Sequence, residues 1–119
     1  METLGEGGFG KVCLANHKKS GEEVAIKFMN IVGFLKADEV KDIFREGKML
    51  SMLEHRNIIK LHHAFLYKKD FIMIMEYASG GELGSFVNKT NGVSEPQAQR
   101  IIEDIAKAIY YCHQKGIIH

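Results

Sequence analysis

The sequence contains no tryptophan, one proline and two cysteines, and its acidic and basic residues nearly cancel. A lone proline, Pro96, leaves no proline-rich linker to separate domains. Cys13 and Cys112 are far apart and lack metal-ligand spacing, so the expectation is two free thiols in a reducing compartment, cytoplasmic or nuclear. A net charge of +1 gives no basis for a nucleic-acid partner or an anionic membrane surface. No apolar run reaches the roughly twenty residues of a span. No charged-then-apolar segment opens the chain either, so neither a membrane helix nor a secretory signal is expected. What remains is ordinary globular composition, 45% hydrophobic and 26% charged. The length of 119 residues suits one small domain or part of a larger one.

Gly5, Gly7 and Gly10 form a G-x-G-x-x-G, with Gly8 between the last two. Alone, that pattern is shared by two unrelated kinds of nucleotide site. A dinucleotide fingerprint runs straight into a helix, whose N-terminus takes the pyrophosphate. Here Val12-Cys13-Leu14-Ala15 is apolar and strand-like, Lys18-Lys19-Ser20-Gly21 reads as a turn, and Glu23-Val24-Ala25-Ile26-Lys27 reads as another strand. The order is strand, glycine loop, strand, turn, strand. Met1 to Leu4 leave little room for the first of these, which is expected to be cut short or missing. Small residues at positions 5, 7, 8 and 10 let backbone N–H groups approach phosphate oxygens without a Cβ in the way. Strand alternation puts Val12 and Ala25 on one side and Cys13 on the other.

From Ala37 to Leu53, apolar residues recur at three- and four-residue spacing, which predicts an amphipathic helix after a connection containing Gly33. Asp38 and Glu39 suit its positive end, Glu46 sits beside the apolar stripe, and Gly47 costs the helix about 0.5–1 kcal/mol relative to alanine. Ile58–Tyr67 and Asp70–Glu76 read as two strands joined at Lys68-Lys69-Asp70. Adjacent His62 and His63 point to opposite faces of such a strand and cannot readily share a metal. Ser94-Glu95-Pro96-Gln97 is a helix-start signature, with Ser94 as N-cap and Gln97 as its capping-box partner. Ala98, Ile101, Ile102, Ile105, Ala108, Ile109 and Cys112 then mark one apolar face, and Gly116 suits the C′ position.

In content and order these segments resemble the eukaryotic protein kinase catalytic domain. Val24-Ala25-Ile26-Lys27 is similar to the strand carrying the phosphate-binding lysine, and Glu46, nineteen positions later, to the helix glutamate that pairs with it. Leu53-Glu54-His55-Arg56-Asn57-Ile58-Ile59 resembles the L-x-H-x-N-I-I joining that helix to the next strand, where His55 secures the turn. Leu50 and Leu61 match two hydrophobic positions stacked behind the lysine–glutamate pair. Phe71 to Leu83 resembles the adenine-binding hinge, and Ile117-Ile118-His119 resembles the approach to the catalytic loop.

The resemblance implies an α+β fold: a small lobe at residues 1–77, with a five-stranded antiparallel sheet and one helix, then the hinge and first large-lobe helices at 78–119, cut off at His119. It implies ATP as ligand, held by Leu4, Gly5, Glu6, Gly7, Gly8, Phe9, Gly10, Val12, Ala25, Lys27, Met75, Glu76, Ala78 and Glu82. For Glu82, a ribose contact and a merely solvated helix start stand side by side. Lys27 and Glu46 are the residues tied to phosphoryl transfer; a solvated surface lysine is the bland alternative for Lys27. The wording MEYASGGEL is closer to serine/threonine kinases, of the calmodulin-dependent or AMP-activated groups. The family's proton-accepting Asp and its Mg²⁺ ligands match nothing in this sequence, so Mg²⁺ is expected only in a longer domain and the chain alone is expected to be inactive. A protein substrate is implied for the complete enzyme. The alternative is a non-catalytic interaction or competitor module. The face of the helix at 95–115 is expected to lie uncovered and to associate with another chain or fray.

Overall fold

The computed structural model describes residues 1–8, 10–32 and 36–119. They form β1 (Glu2–Gly7), β2 (Gly10–Asn16), β3 (Glu23–Asn30), α1 (Ala37–Ser51), β4 (Leu61–Tyr67), β5 (Asp70–Glu76), α2 (Leu83–Lys89) and α3 (Glu95–Gln114). The strands make one antiparallel sheet in the order β1-β2-β3-β5-β4, the α+β arrangement of a kinase small lobe expected from the sequence. Two compact units result: Met1–Glu54 with Ile59–Tyr77, and His55–Ile58 with Ala78–His119. Among the described residues no helix is long and apolar enough to cross a membrane.

The first strand is present. Glu2–Gly7 pairs with β2 from Glu2 opposite Leu14 to Gly7 opposite Gly10, with a bulge between Thr3 and Gly5. All six residues are exposed, so backbone pairing rather than apolar alternation makes this strand. The fourth strand departs the other way, beginning at Leu61 rather than Ile58. His55 explains the difference. Its Nδ1 accepts the Asn57 N–H at 3.1 Å and its carbonyl accepts the Ile58 N–H at 3.0 Å, holding those residues in a turn.

Residues directly opposite each other in an antiparallel sheet share a face. One face carries the rows Leu14–Ala25–Met75–Leu61, Val12–Lys27–Met73–Ala64 and Met29–Phe71–Leu66. Ile43 and Gly47 are the buried residues of α1, and Ile43 joins Met29, Phe71 and Met73 in the core of this unit. Leu50 and Leu61 pack against that cluster together with Ile31 and Met75. Met29 and Met73 are essentially inaccessible, each contributing about 1.5–3 kcal/mol by burial. Cys13 lies opposite Ile26 on the other face, buried and without a disulfide partner.

In the second unit, Ser94 caps α3 as its sequence demands. Its Oγ accepts the Gln97 N–H at 3.3 Å, while Gln97 Oε1 accepts the Ser94 N–H at 3.0 Å. Gly116, at φ 75°, ends the helix in the left-handed conformation that glycine adopts without cost. The His55 and Tyr111 rings lie 5.2 Å apart, tilted by 40°. No residue of α3 is fully buried: Ala98, Ile101, Ala108 and Cys112 are half-buried, and Ile102, Ile105 and Ile109 are exposed.

Candidate nucleotide site

The glycine loop is the turn of the β1–β2 hairpin, and its glycines are small for two different reasons. A Cβ at Gly5, Gly7 or Gly8 would meet nothing within 4 Å. The space beside those residues is open, so no side chain stands between the loop backbone and a ligand. A Cβ at Gly10 would instead fall on the carbonyl of Phe28 in β3. Gly10 is glycine because the β2–β3 approach demands it. Glu6 lies opposite Lys11 in the hairpin, Leu4 occupies the bulge, where it is exposed, and Phe9 lies outside the described residues.

Lys27 sits in the middle of the sheet face that α1 covers, directly opposite Val12 on β2 and Met73 on β5. Its Nζ stands 3.4 Å from Glu46 Oε1, with the two side chains 29% and 50% exposed. A pair this open to water is worth about 0–1 kcal/mol, too little to hold a helix against a sheet. Its chemical consequence is orientation: the carboxylate restrains an ammonium that a free lysine would spread through solvent. Ala25 and Met75 are paired in the next row of the same face. Glu76 donates its backbone N–H to the Lys60 carbonyl at 2.9 Å, and its Oε2 accepts the Lys60 N–H at 3.1 Å. Any edge contact with a base at Glu76 therefore falls to its carbonyl.

The structure thus brings Val12, Ala25, Lys27 and Met75 onto one sheet face and Glu46 to the lysine. Ala78 and Glu82 belong to the second unit. There the Ala78 carbonyl accepts the Gly81 N–H at 3.4 Å, and Glu82 is the N-cap residue of α2, its carbonyl accepting the Phe86 N–H at 3.1 Å. Two residues of the same face escaped the sequence reading. Leu14 stands opposite Ala25, and Met73 opposite Lys27. Period-two counting from Val12 would have found Leu14; nothing local marks Met73 as the lysine's neighbour. Among the described residues, no cluster of three or more His, Cys, Asp or Glu side chains is placed to hold a metal ion.

A hairpin of glycines over a sheet, a lysine on its third strand and a glutamate from the covering helix define a protein kinase small lobe. The chain matches the protein kinase domain family over residues 1–119 and belongs to that family. It is 42% identical over 119 residues to the carbon catabolite-derepressing protein kinase of Candida glabrata, and 41% identical over 119 residues to the protein of that name from Saccharomyces cerevisiae. Each comparison covers the whole chain and 19% of the relative. The SNF1-like protein kinase ssp2 of Schizosaccharomyces pombe is 41% identical over 118 residues, 99% of this chain and 20% of that protein. The chain spans about a fifth of the length of these curated relatives.

Proposed function

We propose that this chain is the ATP-binding part of a serine/threonine protein kinase, residues 1–77 forming the small lobe and 78–119 the hinge and the start of the large lobe. The observation that carries the reading is the Lys27–Glu46 contact on the strand next to a glycine hairpin with open space above Gly5, Gly7 and Gly8. These features fit a triphosphate: backbone N–H groups for its oxygens, and a restrained ammonium for the α- and β-phosphates. Val12, Leu14 and Ala25 offer an apolar surface of the kind adenine stacks on, with Met75 beside them and the Glu76 carbonyl as acceptor. Ala78 and Glu82 enter on family resemblance alone.

Bound ATP supplies the γ-phosphoryl group; the residues of this chain bind and orient it. Lys27 neutralises phosphate charge, Glu46 keeps the ammonium in place, and the glycine hairpin covers the phosphates. No step is assigned to a metal or a catalytic base; among the described residues no group of three or more His, Cys, Asp or Glu side chains is placed to hold a metal ion. The hydroxyl of a protein serine or threonine is the proposed acceptor for the enzyme of which these residues are a part. ATP and the two unpaired cysteines both suit an intracellular, cytoplasmic setting. The exposed Ile102, Ile105 and Ile109 favour, as a second reading, a non-catalytic module that docks through α3.

The test is titration of the chain with a fluorescent ATP analogue, alongside Lys27→Met. Binding that weakens about tenfold or more in the variant, with the circular dichroism spectrum unchanged, supports the nucleotide site. Absence of saturable binding in the unaltered chain leaves only the docking reading.

A further inference from the structure

We propose that Gly47 and Phe71 are positioning residues for the Lys27–Glu46 pair: the Phe71 ring seats against the bare backbone of α1 at Gly47, and this contact sets where Glu46 stands. Its bearing on phosphate binding rests on the function proposed above, but the packing argument does not.

A helix interior is a poor place for glycine, and propensity alone would put alanine at position 47. Packing forbids it. A Cβ there would lie 2.9 Å from Phe71 Cζ, 3.1 Å from Cε1 and 3.7 Å from Met73 Sδ. Phe71 is 5% exposed, and its ring lies 4.8 Å from that of Phe44, tilted by 50°. The ring is seated against Phe44 and the core cluster, and on one side it lines an open cavity with Phe44 and Gly47. A side chain at position 47 has to displace the ring or push the helix away from β5, and we take the helix to move because the ring belongs to the packed core.

One of these two β5 residues is also the lysine's neighbour. Met73 stands opposite Lys27, and Phe71 stands opposite Met29 one row along. Glu46 is the residue immediately before Gly47. The helix residue that faces Phe71 and the carboxylate that reaches Lys27 are thus neighbours in the chain, and the distance between Glu46 and the sheet follows the Gly47–Phe71 contact. The ion pair cannot set that distance itself, since both side chains are substantially open to water.

The experiment compares Gly47→Ala, Phe71→Leu and the double variant in the 119-residue chain. It measures melting temperature and the ¹⁵N signal of Lys27 Nζ, assigned by its loss in Lys27→Met, with Glu46→Gln marking the unpaired position. The expected result is that Gly47→Ala lowers the melting temperature and moves the Lys27 signal toward the Glu46→Gln position. Shortening the ring opens room for the new methyl, so the double variant should restore both. If Gly47→Ala does not fold, Phe71→Leu decides alone, since loosening the contact should shift the Lys27 signal in a folded protein. A rise in melting temperature of about 3 °C in Gly47→Ala, the gain due to helix propensity, would show that the ring imposes no constraint. A Lys27 signal unmoved in every folded variant would reduce the contact to core packing and overturn the positioning role. Neither readout uses nucleotide, so failure of the chain to bind ATP would count against the proposed function and not against this one.

Discussion

Glu46 reaches Lys27 from the residue just before the buried Gly47, with 3.4 Å between Oε1 and Nζ. Because the pair is half in water, breaking it should cost about 0–1 kcal/mol of stability. Its effect on nucleotide affinity should be larger and non-additive: once Lys27→Met is present, Glu46→Gln has no ammonium left to orient. A double-mutant cycle on ATP-analogue affinity, with denaturant unfolding of the same four proteins, checks both statements. A stability loss above about 2 kcal/mol in Glu46→Gln would mark the pair as structural instead.

The loop glycines should separate by assay. Gly10→Ala places a methyl on the Phe28 carbonyl and should destabilise the sheet by about 1–3 kcal/mol. Gly8→Ala meets open space, so its melting temperature should stay near that of the unaltered chain while nucleotide affinity falls. Thermal melts and titrations on the two variants suffice. Equal stability would mean that β2 and β3 can part at Gly10 without penalty.

Ser94→Ala removes the hydroxyl that accepts the Gln97 N–H and should cost about 1 kcal/mol, read as lower helicity by circular dichroism. Ser94→Asp should recover most of it, since a carboxylate accepts the same bond and suits the helix N-terminus.

Ile102, Ile105 and Ile109 of α3 are 65%, 46% and 44% exposed. Each isoleucine left in water forgoes about 1.5–3 kcal/mol of burial. In dilute isolated chain, amides 98–112 should therefore exchange faster than amides 71–76, and raising the protein concentration should slow them. Equal protection in a confirmed monomer would contradict this.

The legible features share one property: their partners lie a few residues apart. Ser94, Pro96 and Gln97 announce a helix start because the capping box closes within one turn. His55 could be assigned to its turn because Asn57 and Ile58, which it binds, follow at once. The alternation of β2 and β3 was plain for the same reason. What escaped depends on distant partners. β1 has six exposed residues and becomes a strand only through its register with β2. Gly47 read as a local defect, and the ring that makes it necessary lies twenty-four positions later in another strand. Ile58 to Lys60 looked like strand because apolar spacing says nothing of Glu76, sixteen positions on, whose carboxylate accepts the Lys60 N–H.

The collision that Gly10 avoids with Phe28 also bears on how such a chain can diverge. A descendant that abandoned nucleotide would be released from keeping Gly5, Gly7 and Gly8 small, and drift would fill those positions first. Gly10 would persist, because the hairpin still has to pass the third strand. A surviving final glycine in a degenerate G-x-G-x-x-G is therefore a relic of sheet architecture, and only the glycines before it testify to phosphate.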